Sequence, residues 1–269
     1  MNLSPEQAIG IFDSGAGGLT VAAAVKNLLP NEKIIYFGDT AHLPYGDKSK
    51  ETVKNYSLRI TDFLLEKKCK IILIACNTAS AAAYEAVKER VGDNAIVINV
   101  IDPATEFVAF KNNFKKIGVI GTKGTVSSGS YSEKIKELKK DIEVVSLQTP
   151  LLVPMIEEGF IYDNISNAII KEYLSNEKLN GIDALILGCT HYPIIKNQIR
   201  KFYNFQTTVV DSSLVVAQKL KKVLIKNELL NIKNHIPEHE FYVSDYTDFF
   251  KTLAEMFFDD DVNLQKKYL

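Results

Sequence analysis

Eight short apolar runs, separated by amphipathic segments, constrain this chain more than any other feature. They are "AIGIF" (8–12), "KIIYFG" (33–38), "KIILIA" (70–75), "AIVINV" (95–100), "KIGVIG" (116–121), "IEVVSL" (142–147), "DALILG" (183–188) and "TTVVD" (207–211). Each is nearly continuous in apolar residues rather than alternating, the pattern of strands covered on both faces of a parallel sheet. The intervening segments, such as 51–67, 79–90, 126–140 and 194–203, read as amphipathic helices. This βαβ rhythm predicts an α/β fold with its sites at the C-terminal ends of strands. A length of 269 residues suits one large domain or two of ordinary size.

A weak internal duplication runs through the pattern. "IGIFDSGAGG" begins at Ile9 and "IGVIGTKGTV" at Ile117, each a strand running into a loop of small residues. Cys76 follows Ile9 by 67 residues and Cys189 follows Ile117 by 72. Both cysteines come after a strand and before a helix. Apolar likeness between strands is cheap, so the matched thiols carry more of the argument. Beyond residue 212 the pattern changes to a long helix near 213–227, with Ser212 or Ser213 as N-cap. A polar segment (231–240, with Pro237), a short strand "FYVS" and an amphipathic helix around Phe249, Phe250, Leu253, Phe257 and Phe258 follow, expected to pack back on the first unit.

Charge and composition narrow the function. The formal net charge is −1, with lysines scattered among acids, which gives no footprint for nucleic acid or an anionic membrane. No run approaches the roughly 18 to 20 apolar residues of a membrane span, and the N-terminus has no secretory pattern. Three cysteines, Cys69, Cys76 and Cys189, make no disulfide framework and point to a reducing cytoplasm. Without a Cys-x-x-Cys pair, and with four histidines that show no ligand spacing, no metal site is expected.

Several loops could meet a ligand. "DSGAGG" (13–18) would leave backbone N–H groups open to an anion at a helix N-terminus, but it lacks the P-loop lysine; judged alone, a purely structural tight turn is the lesser reading. "HLPYGDKS" (42–49) is also a turn by itself, with Gly46 able to let a ligand approach the backbone. In "GTKGTVSSGSY" (121–131), Thr122 and Thr125 offer hydroxyls, though Thr125 could equally be an N-cap. Cys69, amid "KKCKII", reads as a small hydrophobe. In "ACNTAS" and "GCTHYP", by contrast, a thiol at a strand's end is followed by amide, hydroxyl or imidazole. Such a thiol sits at the positive end of a helix, which is expected to lower its pKa. His191 is either a satisfied core histidine or the partner of Cys189.

Hydrolysis by a nucleophile needs one thiol and one base. Two thiols suit a reaction that removes a proton from one face of a carbon and delivers another to the opposite face, which is racemisation. A proton on a carbon beside a carboxylate is very weakly acidic, so the base must be well placed and the developing charge stabilised.

Taken in order, "IGIFDSGAGGLTV", "FGDTAHLPYG", "ACNTASAAA", "GTKGTVSSGSY", "PLLVPMIEEG", "GCTHYPII" and "FYVS" resemble the glutamate racemases of the cofactor-independent aspartate/glutamate racemase superfamily over nearly the whole chain. The resemblance implies two flavodoxin-like doubly wound α/β domains related by a pseudo-twofold, with the active site in the cleft between them. The first would span 1–98 plus 212–269 and the second 99–211. It implies catalytic Cys76, acting on D-glutamate, and Cys189, acting on L-glutamate. Substrate contacts would fall on Asp13, Ser14, Tyr45, Gly46, Asn77, Thr78, Thr190 and His191. Asp13 and His191 would assist the nearer thiol, Glu157 would be a further acid, and Thr122 and Thr125 weaker carboxylate contacts. It further implies no cofactor and no metal, glutamate as the small-molecule substrate, and a cytoplasmic homodimer that supplies D-glutamate for cell-wall peptidoglycan. Aspartate or another amino acid as substrate is the alternative. One departure stands out: Thr149 occupies a place where many relatives have cysteine.

Overall fold

The computed structural model describes residues 3–110, 113–233, 236–258 and 262–269. Residues 234 and 235 of the polar segment lie outside the described residues. Among the described residues ten strands are present: β1 Ile9–Asp13, β2 Ile34–Gly38, β3 Ile71–Ile74, β4 Ile96–Asn99, β5 Lys116–Gly121, β6 Glu143–Gln148, β7 Ala184–Gly188, β8 Thr208–Val210, β9 Glu240–Val243 and β10 Leu264–Lys266. The helices are α1 Leu19–Leu28, α2 Lys50–Glu66, α3 Asn77–Val91, α4 Ile101–Phe110, α5 Lys123–Ser127, α6 Ser130–Leu138, α7 Leu152–Glu157, α8 Asn164–Leu174, α9 Lys196–Phe202, α10 Ser212–Lys226 and α11 Asp248–Phe258.

The strands form two sheets, ordered β10-β9-β2-β1-β3-β4 and β6-β5-β7-β8, with every pairing parallel. The order β2-β1-β3-β4 in the first repeats as β6-β5-β7-β8 in the second. The duplication glimpsed in the sequence is therefore a duplication of topology. In each copy the chain passes to one side of its first strand and then returns to the other side. The crevice beyond the C-terminal ends of those strands, at the switch point, is where open α/β sheets bind ligands. It lies between the loops after β1 and β3 in one copy, and after β5 and β7 in the other.

Every residue of β1, β2, β3 and β7 is buried, as near-continuous apolar runs require when helices cover both faces. Each sheet accordingly has a hydrophobic core on either side. The chain returns to the first sheet through α10 and then β9, which pairs with β2. A fully buried ion pair, Lys70 Nζ to Glu32 Oε2 at 2.6 Å, fastens that return: Lys70 also donates to the Leu229 carbonyl and Glu32 accepts from Asn231 N–H.

Local details differ from the sequence reading. The helix expected over 126–140 is two helices, because Gly129 takes φ +70° and separates α5 from α6. The N-cap of α10 is Asp211, whose carboxylate accepts from Ser213 N–H, not Ser212 or Ser213. The segment at 194–203 opens as a 3₁₀ turn over Tyr192–Ile195 before α9.

Candidate active site

Both cysteines sit at the ends of central strands because the loops after β3 and β7 turn directly into helical structure. Cys76 is the N-cap of α3, and its Sγ accepts from Ala79 N–H at 3.4 Å. Cys189 follows β7, ahead of the 3₁₀ turn. The two thiols border one cavity of about 240 Å³ between the sheets. Of the residues expected from sequence, Ser14, Tyr45, Gly46, Asn77, Thr78, Thr190 and His191 line the same cavity; Asp13 lies behind it, fully buried.

The loops meet reciprocally. Thr78, after β3, contacts the loop after β5, with its Oγ1 2.9 Å from Thr122 Oγ1 and 3.2 Å from Thr125 Oγ1. Thr190, after β7, contacts the loop after β1: its hydroxyl lies 3.5 Å from Asp13 Oδ2, and its carbonyl accepts from Thr20 Oγ1 at 3.0 Å. Third-strand loop against first-strand loop, in both directions, is the pattern a twofold relation produces. Bare Cα atoms permit the approach. A Cβ on Gly17 would come within 2.5 Å of both His191 Nδ1 and Thr190 Oγ1, and one on Gly46 within 2.6 Å of Thr122 Cβ.

Around Cys76 the environment is buried and acidic. Its Sγ lies 3.8 Å from Ser14 Oγ. Asp13 Oδ2 accepts from Gly18 N–H at 2.8 Å, while Asp13 Oδ1 has no hydrogen-bond partner in the protein. Burial pushes the Cys76 thiol well above the ordinary range and the Asp13 carboxylate adds to the shift, against the helix N–H and Ser14. The lowered pKa expected from the helix terminus is thus overturned: one N–H at 3.4 Å does not offset desolvation plus a neighbouring carboxylate. Asp13 is itself pushed up by burial, opposed by the charge on His191 and by the N–H bonds of Gly18 and Gly15.

Around Cys189 a base and an acid are in line. His191 Nδ1 lies 3.7 Å from Cys189 Sγ, and Nε2 lies 2.9 Å from Glu157 Oε1. Burial works against charge on this imidazole, but the bonds to Cys189 and Glu157 outweigh it and raise its pKa to about 10. The partners of the His191 ring nitrogens are thus side chains that line the cavity, Cys189 and Glu157. Asn77 presents a further handle: its Oδ1 accepts from Tyr131 O–H at 2.7 Å, leaving the buried Nδ2 without a partner in the protein. A buried amide donor on a cavity wall, at the N-terminus of α3, is suited to a carboxylate. Tyr45 turns its hydroxyl away, donating to Asp39 Oδ2 at 2.5 Å.

Thr149, Lys123 and Asp47, which no sequence pattern marked for the site, also line the cavity. The Thr149 hydroxyl lies 2.6 Å from Tyr192 Oη. Lys123 and Asp47 pair at 3.1 Å across the mouth, one from each sheet's loops. All three cysteines are free. Among the described residues no three or more His, Cys, Asp or Glu side chains are grouped to hold a metal ion, and no helix is long and apolar enough to cross a membrane.

Two parallel α/β sheets thus each present a thiol with polar partners of its own to one small cleft. The chain belongs to the Asp/Glu/Hydantoin racemase family, whose model matches residues 19–220. It is 42% identical to the glutamate racemase of Neisseria meningitidis serogroup C over 257 residues, covering 95% of this chain and 94% of that one. It is likewise 42% identical to that of Geobacter metallireducens over 241 residues, covering 90% and 88%. The crystal structure of glutamate racemase from Francisella tularensis in complex with D-glutamate is 41% identical, covers 98% of both chains and superposes with a TM-score of 0.90.

Proposed function

We infer that this protein is an amino-acid racemase, an isomerase that interconverts L- and D-glutamate by passing protons between Cys76 and Cys189. The observation that carries the reading is that the two thiols enter one cavity from equivalent strands of two sheets. Glutamate is favoured over aspartate because relatives at about 42% identity over nearly the whole chain are glutamate racemases.

In this reading the substrate lies between the sulfurs, with a carboxylate on Asn77 Nδ2, Thr78 and the N-terminus of α3. Ser14, Thr190 and the Tyr45–Gly46 lip supply the remaining polar contacts. For L-glutamate, Cys189 acts as the thiolate base beside the His191 imidazolium, which Glu157 holds in place, and Cys76 delivers its proton to the opposite face. For D-glutamate the roles exchange. Cys76 is poised as a donor by its raised pKa. To serve as base it needs a cation nearby, and the substrate ammonium is one. At about 4 Å and an effective dielectric near 20, that charge is worth about 4 kcal/mol, acting against the effect of burial. Asp13 and Ser14 assist Cys76 as His191 assists Cys189.

The same proposal treats residues 1–98 with 212–269, and 99–211, as two domains whose relative motion admits substrate. It places the protein in the cytoplasm, where thiols stay reduced, and assigns its D-glutamate to peptidoglycan. It also takes the chain to be a homodimer, which the exposed apolar side chains Leu151, Phe160, Tyr162 and Ile165 beside the cleft favour. The test is to follow circular dichroism of L-glutamate and of L-aspartate with the purified protein. Decay of the glutamate signal to zero with little change for aspartate is expected. Faster loss of the aspartate signal would reassign the substrate.

A further inference from the structure

His191 is held on three sides by groups already described. Nδ1 faces Cys189, Nε2 faces Glu157, and the bare Cα of Gly17 lies against its edge. A fourth neighbour is Phe249, from the first turn of α11, which stacks parallel and offset beside the imidazole, with ring centroids 6.2 Å apart and planes 8° from parallel. The distance is within the range at which aromatic faces attract.

Like Ile194, Phe249 also bridges two cores. It lies against the core of the first sheet that holds α1 and α10 and against the core of the second sheet that contains Cys189 and Tyr192. Its neighbour Phe250 is fully buried in the first of these. Phe250 packs on Tyr36 at 5.8 Å and sits where a Cβ on Gly38 would fall, 2.6 Å from its ring. Tyr36 in turn donates to the Gly15 carbonyl at 2.7 Å, in the loop that carries Asp13 and Ser14. The Thr247 hydroxyl accepts from Phe250 N–H at 3.2 Å and fixes the start of α11. One dipeptide therefore backs both halves of the site, Phe250 on the Cys76 side and Phe249 on the Cys189 side.

We propose that Phe249 is a positioning residue, whose ring holds the His191 imidazole in the plane that lets it serve Cys189 and Glu157 at once. The terminal helix, which the sequence presents only as an amphipathic segment, is then part of the catalytic apparatus without touching substrate. The proposal rests on the assignment of Cys189 as a working thiol, and its test does not require turnover.

The experiment compares Phe249→Leu, which keeps apolar bulk but removes the ring face, with Phe249→Tyr, which keeps the ring. Each full-length variant is labelled with limiting iodoacetamide, and Cys189 and Cys76 are scored separately by peptide mass. Kinetics with glutamate and thermal melting are run alongside. Phe249→Leu should slow labelling of Cys189 by roughly three- to tenfold, the range set by one aromatic contact, and leave Cys76 unchanged. Its kcat should fall by a similar factor with KM within about twofold, and Phe249→Tyr should restore both. Should Phe249→Leu melt below the assay temperature, Phe249→Met, longer and more adaptable, carries the same comparison. Unchanged Cys189 labelling in a folded variant would overturn the proposal. So would an equal fall at both cysteines with a lowered melting temperature, the sign of a merely structural role. Absence of racemisation by the wild-type chain would instead defeat the functional reading and leave the labelling comparison valid.

Discussion

Cys76 and Cys189 end strands that hold the same place in two copies of one sheet order, yet their surroundings differ in kind. Cys76 caps a helix beside Ser14 and is pushed up by burial and Asp13. Cys189 leans on an imidazole that is anchored by a carboxylate. Equivalent placement gives the proposed relay its two faces of attack, and the unequal surroundings give the two thiols different partners.

The proposed relay needs each thiol in both directions, once as base and once as acid. Cys76→Ser and Cys189→Ser should therefore each lower racemisation by about 10²- to 10⁴-fold, the usual worth of a positioned general acid or base. Polarimetry on glutamate checks this. A non-catalytic binding role would survive both substitutions.

His191 links stability to pH. Its pKa rises from 6.5 to about 10 on folding, since the bonds to Cys189 and Glu157 outweigh burial. Between those values the folded protein holds a proton that the unfolded chain has released. The linked stability is complete below about pH 6.5 and is lost as pH climbs toward 10, at up to roughly 1.4 kcal/mol per pH unit. Urea unfolding at about pH 6.5, 8 and 9.5 should show wild type losing its advantage over His191→Asn as pH rises.

Gly17 is required for approach, not for an unusual turn. An alanine Cβ would sit 2.5 Å from His191 Nδ1 and Thr190 Oγ1, so the second loop must move by about 1 Å. Misplacement on that scale costs about 100-fold in kcat/KM. Steady-state kinetics of Gly17→Ala, with its melting curve as control, measure it.

The Lys70–Glu32 pair is wholly buried. Burial lowers the lysine's pKa and the bond to Glu32 opposes that. Lys70→Met would strand a carboxylate in the core and should destabilise by about 3–5 kcal/mol, whereas Lys70→Met with Glu32→Leu should recover most of that loss. Denaturant titrations of the three proteins decide it.

The central strands were legible because burial on both faces forces continuous apolar runs, as in Ile71–Ile74 and Ala184–Gly188. β10 was not legible: Leu264–Lys266 is an edge strand with only Leu264 partly buried, and nothing in its residues requires a sheet. The break at Gly129 lay inside an otherwise helical pattern, where a glycine signals a weakness without saying that it takes a positive φ. At the site, strand-end position and chemistry singled out the thiols. The direction of the Cys76 shift was misread because burial and Asp13, far away in sequence, act on it only once the chain has folded. The Phe249–His191 stack is of the same kind, a contact between distant segments that leaves no local pattern.

The most direct measurement is the fate of the α-hydrogen when L-glutamate is converted in heavy water, followed by NMR at early conversion. Two thiols on opposite faces predict that D-glutamate forms with deuterium at the α-carbon while the remaining L-glutamate keeps its original hydrogen. Deuterium appearing equally in recovered substrate and product would mean that a single group serves both faces, and would contradict the account.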